Sequence, residues 1–294
     1  MDEKELLAER FEAQRTHLRS VAYRMLGSVA EADDAVQEAW LRLSRSDTGQ
    51  VENLGGWLTT VVGRICLDML RSRTSRREDP LDVHLPDPIV SGIRGTDPEQ
   101  EAMVTDSVGL AMLVVLDTLP PAERLAFVLH DMFAVPFDDI AEIVGRNAAA
   151  TRQLASRARR RVQGAVPEPE TDAARQRKVV DAFVAASRGG DFEALVSLLD
   201  PDVVLRVDGG ALAPALSKLV RGAREVASQA WMYRRFAPDA RLALVNGALG
   251  TVTAPEGEIM SVMAFTVSGG KIVRLDILAD PQRLARIDLT VLDD

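Results

Sequence analysis

Cysteine is almost absent from this sequence: Cys66 is the one thiol in 294 residues. That excludes an intramolecular disulfide framework and a metal site built from several thiolates. It also fits a reducing, cytoplasmic setting. Histidine is nearly as scarce. The three are His17, His84 and His130, and none lies after residue 163. General acid–base work near neutral pH favours histidine, so the C-terminal part is not expected to be an enzyme. Long hydrophobic runs are missing too. The longest, residues 109–116, falls far short of the ~18 residues of a membrane span. The N-terminus, MDEKELLAERFEAQ, is acidic and amphipathic, unlike a secretory signal.

What is present is ordinary globular composition, 47% apolar and 27% charged, in a chain long enough for about two domains. The net charge of −9 argues against a nucleic-acid partner, but the average hides segregation. Residues 31–38 hold four acids and no base, residues 63–77 hold five arginines and one acid, and residues 146–161 hold six arginines and no acid. Local patches, not the total, set the field that a partner meets at close range.

Three- and four-residue apolar spacing predicts helix over 5–44, interrupted at Gly27-Ser28, and again over 57–70. Residues 44–56 read as a polar loop. Four prolines and two glycines make 78–100 a linker. Helices are predicted at LPPAER (119–124), at 135–145 with Gly145 as its end, and at 148–162 capped by Asn147. Beyond Pro167 and Pro169 the pattern changes. A helix over 173–188 precedes strand-like stretches at 203–208, 241–253, 258–267 and 271–279, with a second helix at 222–236. Pro255-Glu256-Gly257 and Gly269-Gly270 read as hairpin turns. The expected organisation is therefore multidomain. It runs as an all-α domain at 1–77, a proline-bearing linker at 78–104, a second all-α domain at 105–164, a short linker at 165–171 and an α+β domain at 172–294.

Residues 140–161 place two short helices around a tight glycine turn, the spacing of a helix-turn-helix. Leu154, Ala155, Ala158 and Val162 would face the core. Arg152, Gln153, Ser156, Arg157 and Arg160 would lie outside, where Arg suits guanine and Gln suits adenine. A solvated arginine-rich helix is the competing reading. The acidic helix 31–43 would repel DNA, so its face must meet protein or water. The arginines of the helix beginning at Trp57 either complement its dipole or track a phosphate backbone, and the loop 44–56 could hold an unstacked base.

Taken together, ADDAVQEAWLRL, GWLTTVVGRICLDMLRSRTSRRE and LPPAERLAFVLHDMFAVPFDDIAEIVGRNAAATRQLASRARRRV resemble the extracytoplasmic-function sigma factors of bacterial RNA polymerase, over about residues 8–163. The resemblance implies a promoter-specificity subunit with no chemistry of its own. Its region 2-like domain would be 1–77 and its region 4-like domain 105–164. Asp33, Asp34, Gln37, Glu38 and Arg42 would bind the clamp helices of the β′ subunit. Residues 44–77 would read and melt the minus-ten element, with Arg64, Arg71, Arg73, Arg76 and Arg77 along the phosphates. Asn147, Arg152, Gln153, Ser156, Arg157 and Arg160 would read the minus-thirty-five element, with the β flap nearby.

The remainder is similar to the subfamily that ends in a SnoaL-like (NTF2-like) α+β cone. Three short motifs carry this: His84-Leu85-Pro86-Asp87-Pro88 in the linker, Asp208-Gly209-Gly210, and Asp280-Pro281-Gln282-Arg283-Leu284. Ala211 stands where the family has a further glycine. The resemblance implies that these motifs form an interface regulating the sigma domains in cis. Read from the residues alone, Asp208-Gly209-Gly210 ends a strand in a turn needing a positive backbone angle, with a perturbed acid at Asp208 as the alternative. Trp231 and Tyr233 lie on a helix that packs inward or lines the mouth of a small apolar site. No metal, cofactor or membrane is expected. Core polymerase and promoter DNA are the expected partners, and a small ligand of the C-terminal domain stays open. The alternatives are a bifunctional protein with a ligand-binding or enzymatic cone, and a helix-turn-helix repressor. The acidic helix and the two separated basic elements speak against the repressor.

Overall fold

The computed structural model describes residues 3–45, 53–75, 83–93, 109–165, 170, 172–287 and 290. They form two units, one drawn from segments 1–78 and 113–165, the other from 79–112 and 166–294. Among the described residues, no helix is long and apolar enough to cross a membrane.

In the first unit, α1 (Glu3–Leu26) and α2 (Val29–Leu43) are separated by Gly27, whose φ of 71° lies in the left-handed region. The stripe Ala32, Ala35, Val36, Ala39 and Leu43 of α2 is buried, and α1 packs on α2 with Phe11, Leu18, Val21 and Met25 in the core. Each such Val or Leu contributes about 1.5–3 kcal/mol by leaving water. Helix α3 (Leu54–Ser75) packs on both. The second helical segment runs through α4 (Leu110–Asp117), α5 (Pro121–Phe127), a stretch of π-helix (Val128–Met132), α6 (Phe137–Val144) and α7 (Ala148–Ala165).

Helices from the 1–77 and the 105–164 segments pack against one another within this unit. Two residues explain the contact. A Cβ on Gly63 would lie 3.0 Å from Leu129 and 3.5 Å from Ile143, so the missing side chain lets α3 approach α6 and the π-helical turn. Arg124 is 1% exposed. Its guanidinium donates to the Arg24 carbonyl at 3.3 and 3.2 Å and to the Asp117 carboxylate at 2.8 Å. Burial works against its charge, and the Asp117 carboxylate offsets that.

Among its described residues, the second unit forms a seven-stranded sheet in the order β1-β4-β5-β6-β7-β2-β3, with helices packed against it. Its elements are β1 (Val90–Ser91), α8 (Ala173–Gly189), α9 (Phe192–Leu198), β2 (Leu199–Asp208), β3 (Lys218–Arg221), α10 (Ala223–Met232), β4 (Ala240–Val245), β5 (Ala248–Thr253), β6 (Ser261–Ser268), β7 (Lys271–Leu278) and α11 (Pro281–Leu284). Among the described residues, only β2 and β7 pair in parallel. Asp172 and Asp191 cap α8 and α9 through their carboxylates. The core gathers Val180, Phe183, Leu195, Leu205, Phe265 and Leu275, with Phe183 and Phe265 edge to face at 5.5 Å.

The stretch 241–253 is not one strand. Asn246 and Gly247, at φ of 49° and 74°, turn it into the β4–β5 hairpin, because Asn-Gly suits two consecutive positive angles. The segment read as linker is, over 83–93, part of this unit. Its β1 pairs antiparallel with β4, Val90 opposite Val245 and Ser91 opposite Leu244.

Candidate functional site

The three short motifs expected to form an interface meet at the end of β2 and β7. Asp208 is the last residue of β2 and is 4% exposed. Its carboxylate accepts from the Leu85 N–H at 2.9 Å, from the Gly210 N–H at 3.0 Å and from Arg283 Nη1 at 2.8 Å. The ring of His84, largely exposed, lies 3.4 Å away. Burial disfavours the charged carboxylate, but hydrogen bonds from His84, the Leu85 N–H and the Gly210 N–H outweigh it and bring the group down to about 2. Arg283 stands inside the third motif, where the sequence gives it no separate role. Its Nε donates to Asp87 at 2.6 Å and its Nη2 to the Leu85 carbonyl at 2.6 Å.

Leu85, Pro86 and Pro88 are buried and Asp87 half-buried. Asp280, also buried, caps α11 by accepting from the Gln282 N–H at 2.9 Å. Leu284 is buried and Pro281 exposed. Gly210 has the positive φ that the sequence predicted, 65°. A Cβ there would overlap the Asp280 carboxylate, and one on Gly209 would overlap the Ala213 carbonyl. A second tether lies farther along: Asn246 accepts from the Ile89 N–H at 3.2 Å, and its own N–H donates to the Ile89 carbonyl at 2.8 Å. The motif order in sequence gave no signal for Asn246 beyond its Asn-Gly turn.

In the first unit, α6 begins behind Pro136 with Asp138 and Asp139 in its first turn, and ends at Gly145 in the left-handed conformation, φ 68°. Asn147 then caps α7 by accepting from the Ala150 N–H at 2.9 Å, so its side-chain oxygen serves the helix. Thr151, Leu154, Ala155, Ala158 and Val162 are buried. Arg152, Gln153, Ser156, Arg157 and Arg160 are exposed, as their spacing predicts. Arg152 lies over the Phe137 ring at 5.5 Å. Two neighbouring arginines are tied to the unit instead, Arg159 to Asp131 at 2.5 Å and Arg161 to Glu123 at 2.8 Å.

On α2, Asp33, Asp34, Gln37 and Arg42 are exposed and Glu38 partly so, with the apolar Leu41 38% exposed among them. Asp33 accepts from Arg19 at 2.6 and 3.1 Å, and Arg42 pairs with Glu38 at 3.0 Å. On α3, Arg64 is exposed and reaches the Glu142 carbonyl at 3.3 Å, and Arg71 lies 3.8 Å from Asp68. Arg73, partly exposed, bonds the Leu26 carbonyl at 3.1 Å and forms an ion pair with Glu31 at the end of α1. Arg76 and Arg77 lie outside the described residues. Trp57 is half-buried. Cys66 is fully buried, and burial pushes its thiol up to about 12, so it is a packing group. His130 stacks on Phe137 at 3.7 Å and bonds the Val135 carbonyl at 3.0 Å.

Two Sigma-70 families match the chain, region 2 over residues 11–76 and region 4 over residues 110–162. Over 287 residues the chain is 43% identical to the ECF RNA polymerase sigma factor SigJ of Mycobacterium tuberculosis (strain ATCC 25618 / H37Rv), covering 93% of this chain and 91% of that protein. It is 34% identical over 290 residues to the probable ECF RNA polymerase sigma factor SigI of the same species (strain CDC 1551 / Oshkosh), covering 97% of each. The crystal structure of SigJ aligns with a TM-score of 0.78 at 41% identity, over 96% of this chain and 99% of that one.

Proposed function

The chain belongs to the extracytoplasmic-function (ECF) family of RNA polymerase sigma factors, and on that premise we propose that its C-terminal SnoaL-like unit controls promoter use in cis through its hold on residues 84–89. A sigma factor binds core polymerase and promoter DNA and directs initiation. What the C-terminal unit adds is regulatory. The observation that carries this reading is Arg283, which joins the Leu85 carbonyl, Asp87 and Asp208 in one fork. Residues 84–89 lie in the chain between α3 and α4. Holding them shortens the free part of that connection and so changes the effective concentration of one helical segment at the other.

Within the helical unit, the exposed face of α7, with Arg152, Gln153, Ser156, Arg157 and Arg160, is the reader of the minus-thirty-five element. Its burial pattern supports this, since every apolar residue of the stripe turns inward and these five turn out. Asn147 joins them only through its backbone and amide, because its oxygen caps α7. Arg64 and Arg71 on α3, with Arg76 and Arg77 beyond it in sequence, belong to the minus-ten side, and Arg73, partly exposed, ties that helix to the Leu26 carbonyl. The face of α2 bearing Asp33, Asp34, Gln37, Glu38, Leu41 and Arg42 suits a basic polymerase contact.

Defined transcription with core polymerase tests the regulatory reading. The intact chain, Arg283→Ala and a chain ending at Ala165 are compared on one cognate promoter. Transcript yields that differ several-fold among folded proteins support it. Equal yields from all three defeat it.

A further inference from the structure

Phe137 opens α6 directly behind Pro136. It lies one turn before Ile140 and Ala141, on the stripe that α6 buries, but at the helix start it is only half-buried. The turn that delivers it is pinned by backbone and by side chain. The Val135 N–H donates to the Leu129 carbonyl at 2.9 Å, and the Ala134 N–H to the His130 carbonyl at 3.1 Å. His130 Nδ1 donates to the Val135 carbonyl at 3.0 Å, and its ring stacks on Phe137 with centroids 3.7 Å apart. The Phe137 ring is thus fixed independently of α7.

The Arg152 guanidinium lies over this ring, 5.5 Å from its centre. Arg152 is exposed, sits in the second turn of α7, and has no hydrogen bond or ion pair among the described residues. Arg159 and Arg161 are held differently: each gives an N–H to a carboxylate, that of Asp131 or Glu123. The two modes have opposite consequences for readout. A carboxylate takes up donors at the edge of the guanidinium plane. A ring takes only the face and leaves every N–H of the fork able to donate. Arg157 and Arg160, also exposed, have neither kind of partner among the described residues. Of the outward arginines of α7, Arg152 is therefore the one both oriented and still able to donate.

We propose that Phe137 is a positioning residue for promoter readout: its ring holds the Arg152 guanidinium for a paired contact with O6 and N7 of one guanine in the minus-thirty-five element. This rests on α7 being the reader of that element. Recognition helices present base contacts from their N-terminal turns, where Arg152 stands. Arginine to guanine through two parallel hydrogen bonds is the commonest specific contact. An unsupported arginine loses rotamer freedom when it docks, and one already resting on a ring loses less. A mobile arginine also swings to a phosphate when the base is wrong, which blunts discrimination. A ring-held one must leave the ring to do so.

The test uses the full-length chain with core polymerase on a cognate promoter in which each base of the minus-thirty-five element is varied in turn. Transcript counts give the base preference at every position. Arg152→Ala should abolish a guanine preference at one position. Phe137→Leu keeps an apolar side chain without a ring. It should lower the preference at that same position about three-fold, as expected of an exposed cation–π contact, and leave the other positions within about 1.5-fold. Phe137→Tyr keeps the ring and should stay within about two-fold of the native chain. In the Arg152→Ala background, Phe137→Leu should change base preference no further. Relaxation of the arginine Nε–H groups in the native chain needs no variant: the Arg152 order parameter should exceed those of Arg157 and Arg160. A Phe137→Leu effect that is absent or equal at all bases, or an Arg152 order parameter no higher than the other two, overturns the positioning role while leaving Arg152 as a reader. Unchanged base preference in Arg152→Ala removes the reader, and the positioning role with it.

Discussion

The Arg283 guanidinium meets the Asp208 carboxylate at 2.8 Å across 75 positions of sequence. The same carboxylate receives the Leu85 N–H, so one buried acid joins the end of β2, helix α11 and the segment between the helical halves. Arg283→Ala leaves that acid without its charged donor and should destabilise the C-terminal unit by about 2–3 kcal/mol. Arg283→Lys should recover only part, because a single ammonium cannot reproduce a planar fork serving three acceptors. Urea unfolding measures the loss, and faster exchange of the Leu85 amide locates it.

Asp208 and Asp276 should respond to acid in opposite directions. Asp208 titrates at about 2 in the folded chain, below its ordinary 3.8. Its contribution is present above about pH 4 and is lost as the pH falls from there toward 2. Asp276, 2% exposed, is raised to about 6 because burial outweighs the nearby Arg274 and Arg206. Its ionised form opposes folding at neutral pH, and that opposition fades as the pH falls from about 7 toward 4. Asp276→Asn should therefore gain stability relative to the native chain by about 1 kcal/mol more at pH 8 than at pH 5. Urea titrations at the two values check it; an unchanged gap would show that Asp276 ionises in the folded chain without penalty.

Arg157→Ala and Arg159→Ala should separate readout from packing on α7. Arg157 is exposed, whereas Arg159 is tied to Asp131. Loss of a paired base contact is worth about 1–3 kcal/mol, so Arg157→Ala should lower output from a cognate promoter about ten-fold without moving the thermal midpoint. Arg159→Ala should instead lower stability by about 0.5 kcal/mol, as expected for a partly exposed pair. If both variants transcribe normally, α7 is not the reading element.

Asp34→Lys combined with Gln37→Lys should weaken co-purification with core polymerase while leaving the fold intact, since both side chains are exposed and lie off the buried stripe of α2. Asp33 is left in place because it accepts two hydrogen bonds from Arg19. Undiminished recovery of polymerase would remove α2 from the interface.

Removing residues 280–294 should raise promoter output, because it takes away Arg283 and loosens residues 84–88 while β1 still docks on β4. Removing everything after Pro167 should lower it, because β1 and Ile89 then lose β4 and Asn246 as well. Transcript yield in a defined assay reads both, and matching yields would show that the C-terminal unit does not act in cis.

Much of this was legible in the chain. Apolar spacing located α2, α3 and α7, and it sorted Leu154 and Ala158 from Arg157 and Arg160 correctly, because helix burial follows a local period. The glycine turn at 269–270 and the positive angle at Gly210 followed from backbone sterics. What escaped was non-local or very short. Nothing local says that Arg124 bonds the Arg24 carbonyl or that Arg283 faces Asp87, since those partners are distant in sequence. Strand β3 is four residues long with alternate burial, too brief for a period to declare itself. The Asn246-Gly247 turn was visible in principle, but the apolar residues on both sides masked it as one strand.

That turn has a consequence for how the sequence can change. Hairpin tips are ordinarily where insertions and deletions accumulate with little harm. Asn246 is 2% exposed and takes the Ile89 backbone by both its amide oxygen and its own N–H. One residue added at this tip would shift Asn246 off Ile89 and carry β1 out of register with β4. Related chains that keep the bound segment should therefore vary in length at the 254–260 and 269–270 turns, and hold the 246–247 turn at two residues.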